Sequence, residues 1–163
     1  MKYTLLMSAA LCAVVATNAM AQNLPMIAEI DATTDLTSVQ NATAATYWQN
    51  VDADLEAAIA ARLVGRLGDD GLRVSIDVSE LELANAFEAS LGIDQSLLSG
   101  KVNVTDQKDN SNFKSFEVFA TSEQVVPFLP VGTDITILPA DSPEFYAALI
   151  QAFADGVVAN IDN

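Results

Sequence analysis

Histidine is absent from this chain of 163 residues, and its one cysteine, Cys12, stands in an apolar run near the amino terminus. Without histidine there is no Ser-His-Asp triad, and without a cysteine beyond that run there is no Cys-His pair. Zinc sites built on His or Cys ligands fall for the same reason. The seven glycines are scattered singly, so no phosphate-cradling loop forms. Basic residues are scarce: seven Lys and Arg stand against 22 Asp and Glu, a formal net charge of −15. A field of that sign repels nucleic acid and anionic lipid surfaces. The carboxylates are spread along the chain without an acidic block, the pattern of a solvated surface.

What is present begins with an export signal. Lys2 precedes the apolar run Leu5–Val15, which is too short to span a bilayer, and Ala19-Met20-Ala21 follows it. Charge, apolar core and small-x-small site in that order predict a signal peptide over 1–21, cleaved before Gln22. Cys12 lies inside the run and not after it, so it is not read as a lipid anchor. The remaining chain carries no cysteine, which suits a bacterial periplasmic or secreted protein better than a disulfide scaffold. No transmembrane segment is expected in it.

The stretch Thr46–Val78 organises the rest. Val51, Leu55, Ile59, Leu63 and Leu67 recur every four residues and predict one helix face over 46–67. Thr46 and Gln49 fit a capping box, Asp52, Asp54 and Glu56 lie near the start, and Arg62 and Arg66 lie near the end. Gly68 is expected to supply a left-handed helix stop, with Asp69-Asp70-Gly71 turning the chain. Leu72, Val74, Ile76 and Val78 then alternate with polar residues, a strand with one buried face onto which the helix should pack.

On either side the signals weaken. Residues 22–45 are expected to be an extended lead-in, partly disordered, with a short edge strand near Leu24–Ile30 as an alternative. Residues 81–88 read as strand or as helical turn, with a strand preferred, and Ser90–Gly100 reads as a loop. Lys101–Asp106 and Phe113–Thr121 predict a hairpin that leaves Phe113 and Phe119 on the face opposite Phe116 and Val118. Val125–Val131 is apolar but holds Pro127 and Pro130, so a loop crossing the core edge is expected and a central strand is not. Thr133–Leu138 reads as a short strand. Asp141 and Glu144 are spaced as a capping pair for a helix over 142–158, whose face carries Phe145, Leu149 and Phe153. Leu55, Ile59, Leu63, Val74, Ile76, Phe116, Val118, Phe145, Leu149 and Phe153 should meet in one core.

The expected fold is therefore α+β: helices at about 46–67 and 142–158 packed in two layers on a mainly antiparallel sheet, one domain over 46–163. The layout is similar in outline to small periplasmic accessory domains that partner envelope transporters, and such architecture does not fix function.

Few chemistries survive inspection. Asp106, Lys108, Asn110, Asn112 and Glu117 fall at calcium-loop spacing, but Lys108 would repel the ion and Ser111 stands where glycine is needed. Asn41-Ala-Thr43 and Asn103-Val-Thr105 are sequons by letter alone. Ser99 and Lys101 are ordinary turn and strand residues. Glu80 with Glu82, or Asp52 with Asp54 and Glu56, could supply carboxylates, yet glycosidase-type work needs two of them about 5–9.5 Å apart across a cleft. No catalytic, cofactor or metal site is expected. The reading is an exported, non-catalytic bacterial envelope module for binding or assembly, with a protein partner in the envelope. Its candidate surface is Val125, Val126, Phe128, Leu129 and Val131 with Phe113 and Phe119. The alternative is a small carboxylate-dependent hydrolase.

Overall fold

A computed structural model describes residues 24–34, 49–80, 96–109, 111, 113–135, 137–139 and 142–163. The elements in order are β1 (Ile27–Thr34), α1 (Val51–Arg62), β2 (Leu72–Glu80), β3 (Ser96–Asp106), β4 (Phe113–Thr121), a one-turn helix α2 (Ser122–Val125), a 3-10 turn (Val126–Phe128) and α3 (Pro143–Ile161). The strands form one sheet in the order β1-β2-β3-β4. β1 runs parallel to β2, and the other two pairings are antiparallel. The class is thus mixed α+β. A parallel neighbour requires a crossover, and α1 lies in that crossover between β1 and β2.

The lead-in contains a full edge strand, the alternative weighed for 24–30, and that strand runs to Thr34. Pro25 stays outside it, so no ladder donor is lost. The remaining lead-in residues, and 81–88, lie outside the described residues.

α1 is shorter than the spacing predicted. It begins at Val51 after Asn50 and ends at Arg62, with Leu63 as its cap. Leu63–Arg66 turn away, and Gly65, not Gly68, takes the left-handed conformation at φ 86°. Leu63 stays fully buried beyond the helix end, which is why the four-residue rhythm ran past it. Arg66 therefore does not answer the helix dipole; its Nε donates to the Pro25 carbonyl and its Nη1 pairs with Asp162. Gln49 and Asn50 form a turn, and Thr46 lies outside the described residues.

One apolar layer holds the molecule together. Val74, Ile76, Leu98, Val102, Val118 and Ala120 point from the sheet to one side, where they meet Leu55, Ile59, Leu63, Phe145, Leu149 and Phe153. Nine of the ten residues expected in the core belong to this cluster, and the tenth, Phe116, is half-buried and packs against its rim. The backbone of α1 lies closest to β1 and α3 rather than to β2, and α3 covers β3 and β4.

Three other expectations change. β3 starts at Ser96, so Ser96–Gly100 is strand and not loop. Gly100 misled the reading: it sits where the Phe153 ring presses on the sheet, and an added Cβ would lie 3.0 Å from Phe153 Cζ. The described residues between 133 and 138 form no strand, because the Thr133 and Ile137 N–H groups close locally onto the Pro130 and Asp134 carbonyls. The cap of α3 is Ser142, whose Oγ accepts the Phe145 N–H at 3.2 Å, with Pro143 in the first turn. Asp141 lies outside the described residues.

Candidate interaction surface

Alternation along the strands leaves a second sheet face away from the helices. It carries Arg73 and Asp77 from β2, Lys101, Asn103 and Thr105 from β3, and Phe113, Ser115, Glu117 and Phe119 from β4. Arg73 pairs with Glu29 of β1, and the Ser115 hydroxyl donates to Asn103 Oδ1 at 2.8 Å. Lys101 stands in register between Asp77 and Glu117. Across this polar face Phe113 and Phe119 remain 58% and 48% exposed, the apolar exception at its outer strand. Ser99, facing Phe119 across the ladder, is buried on the same side.

The segment after β4 is more ordered than a loop. Gln124 Oε1 accepts from the Thr121 N–H at 2.9 Å, fastening the first turn of α2. Pro127 then sits in the 3-10 turn, where its missing N–H costs no bond. Of the residues expected to present a surface here, Val125 is core and fully buried, and Leu129 packs partly against that core. Both leave the accessible set, because the helical turn rotates them inward. Val126, Phe128 and Val131 stay exposed, Val131 completely.

Phe128 is also held from below. The Arg62 guanidinium lies 5.8 Å from its ring centre, donates to Gln151 at Oε1 and its carbonyl, and pairs with Asp155. The reading of Arg62 as a helix-end charge missed this clamp between α1, α3 and the 3-10 turn. Only the fold brings residue 62 beside residues 128 and 151.

The carboxylates near the start of α1 are engaged by the fold. Asp52 accepts the Thr34 hydroxyl at 2.6 Å, Glu56 accepts the Ala32 N–H at 3.0 Å, and Asp54 accepts the Tyr146 hydroxyl. Beside them a groove of about 630 Å³ runs between β1 and the Ala53, Ala57 and Ala60 side of α1. The side chains of Glu80 and Glu82 lie outside the described residues. Among the described residues no cluster of acidic, Cys or His side chains could hold a metal ion, and no helix is long and apolar enough to cross a membrane. Asp106 and Asp109 make Asx turns: Asp106 Oδ1 accepts the Lys108 N–H at 2.8 Å, and Asp109 Oδ1 accepts the Ser111 N–H at 2.9 Å. Ser111's hydroxyl and N–H hold the exposed Asp109 carboxyl below its usual range.

Burial, and then the bond to Asp54, pushes the Tyr146 hydroxyl well above its ordinary value of 10.0. Below pH 10.0 the phenol is protonated in folded and unfolded chains alike, and its bond contributes in full. Above it the unfolded chain loses the proton first, so unfolding is favoured as pH rises. Tyr146→Phe is expected to lower stability by about 1 kcal/mol at neutral pH. It should also flatten the loss seen from pH 9 to 11 by urea titration. A variant whose alkaline slope equals the wild type would assign that slope to other groups.

No protein-family model matches this chain, and no curated protein or solved structure matches it either.

Proposed function

We propose that the chain is an exported, non-catalytic binding or assembly module of a bacterial envelope. It would act through the outer face of β4 and the exposed residues that follow it. The observation that carries this is the exposure of Phe113, Phe119, Val126 and Val131 on a molecule already supplied with a continuous core. Exposed apolar side chains along one strand and the turn after it support a contact surface where a partner covers them together as one patch. Export rests on Lys2, the Leu5–Val15 run and Ala19-Met20-Ala21. The net charge of −15 keeps such a surface from indiscriminate association. A carboxylate-dependent hydrolase would need two acids across a cleft, whereas Asp52, Asp54 and Glu56 each accept a hydrogen bond from their own fold.

Two measurements test the reading. Protein recovered from a bacterial envelope fraction should begin at Gln22, and an intact Met1 would refute export by this route. Crosslinking in that envelope should trap a partner with wild type and lose it with Phe119→Asp or Val131→Asp. Both sites are exposed, so the variants fold, and a folded variant that keeps every crosslink removes this surface. Leu129→Asp is unsuitable, since Leu129 packs on the core.

A further inference from the structure

The two edges of the sheet are finished differently. At β1, the Ile27 N–H donates to the Arg66 carbonyl at 2.7 Å and the Ile27 carbonyl accepts the Gly68 N–H at 3.1 Å. Glu56 takes the Ala32 N–H farther along the same edge. That edge is engaged by its own chain at Ile27 and at Ala32. At β4, nine residues long, the one backbone partner among the described residues is β3. Alternate N–H and C=O groups of such a strand point outward and template another strand. Its side chains agree: Phe113, Lys114, Ser115, Glu117 and Phe119 are all exposed, and Phe116 is half-buried although it faces the core layer.

We propose that β4 pairs antiparallel with β4 of a second copy of this chain, about a two-fold axis at Phe116, to make a continuous eight-stranded sheet. This names the partner of the β4 surface and rests on the reading of that surface as a contact. The register follows from the residues. Residues facing each other across an antiparallel ladder share a sheet face, so the axis of a symmetric pair must pass beside a residue, not between two.

The axes that give the longest overlap, from Lys114 to Val118, can be judged in turn. With the axis at Lys114, that cation would face the partner's Lys114. With the axis at Glu117, that carboxylate would face the partner's Glu117. Like charges directly opposite are destabilising. An axis at Ser115 sets Phe113 against the partner's Glu117, and one at Val118 sets Phe119 against the partner's Glu117. Only the axis at Phe116 places Phe113 opposite the partner's Phe119, and by symmetry Phe119 opposite the partner's Phe113. Both exposed aromatics are then covered, twice over. In that register Phe116 meets the partner's Phe116 and Ser115 meets the partner's Glu117, with no like-charge pair. Lys114 faces the partner's Val118, and its ammonium is already directed to the Ile161 carbonyl of its own chain at 3.3 Å.

Weak affinity and a distinctive salt response are expected of this pairing. A single strand edge buries less than a standard interface, so the dimer should be weak and exchange with monomer. Each copy carries −15, so added salt should tighten the dimer by screening, the opposite of an ion-pair interface.

The test uses the processed chain beginning at Gln22, which carries no cysteine of its own. Sedimentation equilibrium should show a monomer–dimer equilibrium that shifts toward dimer as salt rises. Phe113→Asp or Phe119→Asp should weaken it by about tenfold, through loss of the cross-strand aromatic pairs and a charge placed against a phenyl ring. Oxidising a mixture of Ser115→Cys and Glu117→Cys chains should give the mixed disulfide dimer several-fold over either variant alone. A monomer at every concentration up to the solubility limit overturns the pairing. Self-crosslinking of either variant above the mixture overturns the register. A strictly monomeric protein that still loses an envelope crosslink on Phe119→Asp would end this inference and leave the proposed function standing.

Discussion

Phe153→Ala is expected to lower the unfolding free energy by about 3–5 kcal/mol, the range for deleting a buried phenyl ring. Phe153 is among the largest fully buried side chains, and it projects from the middle of α3 onto the sheet. Its ring reaches Gly100, where β3 has no side chain to meet it. The space is therefore lined by backbone that cannot collapse inward, and the cavity term should be near its maximum. Thermal unfolding should fall by on the order of 10 °C for a domain of this size. Gly100→Ala tests the same contact from the other side, because its new Cβ would stand 3.0 Å from Phe153 Cζ and 3.1 Å from the Asp77 carbonyl. If Phe153→Ala unfolded at the wild-type urea midpoint, α3 would not be seated on the sheet as described.

Gly71→Ala should cost about 2–4 kcal/mol, and for a different reason: backbone meets backbone. A Cβ on Gly71 would lie 2.3 Å from the Met26 carbonyl oxygen and 2.5 Å from its carbon. No side-chain rotation relieves that overlap. β1 must move away from β2 at its first residues, where the Leu72 N–H donates to the Met26 carbonyl at 2.8 Å. Amide exchange should then speed up first along Ile27–Thr34, with the β2–β3–β4 hairpins less affected. Gly65→Ala is the control. Gly65 has φ 86° but nothing within 4 Å of an added Cβ. It should therefore show only the left-handed backbone penalty of about 1–2 kcal/mol. A larger loss at Gly65 than at Gly71 would contradict the close approach of β1.

Much of this architecture was legible before any coordinates. β4 falls where alternation put it, and β2 runs to Glu80 from the expected Leu72. These segments show a clean period of two because one face is buried and the other is wet. α3 was legible through Pro143 and its apolar stripe, although its length reaches Ile161 and its cap is Ser142. The surface residues were legible in part. Phe113 and Phe119 are on the outer face as alternation required, while Val125 turned inward with the helical turn that Thr121 and Gln124 begin.

By itself, then, the sequence determined the closed chemistries, the helix and strand periods, and most of the core list. These depend on residue type and on spacing within about a dozen neighbours. Only the tertiary structure decided that 27–34 pairs parallel with β2, that Gly100 marks a close approach and not a loop, and that Arg62 clamps Phe128 against α3. It also decided that β1 has its edge engaged at Ile27 and Ala32 while β4 keeps its edge open among the described residues. Each of these joins residues far apart in the chain. A pairing between distant segments is selected by the summed burial and hydrogen bonding of the whole sheet, and no local window carries that sum.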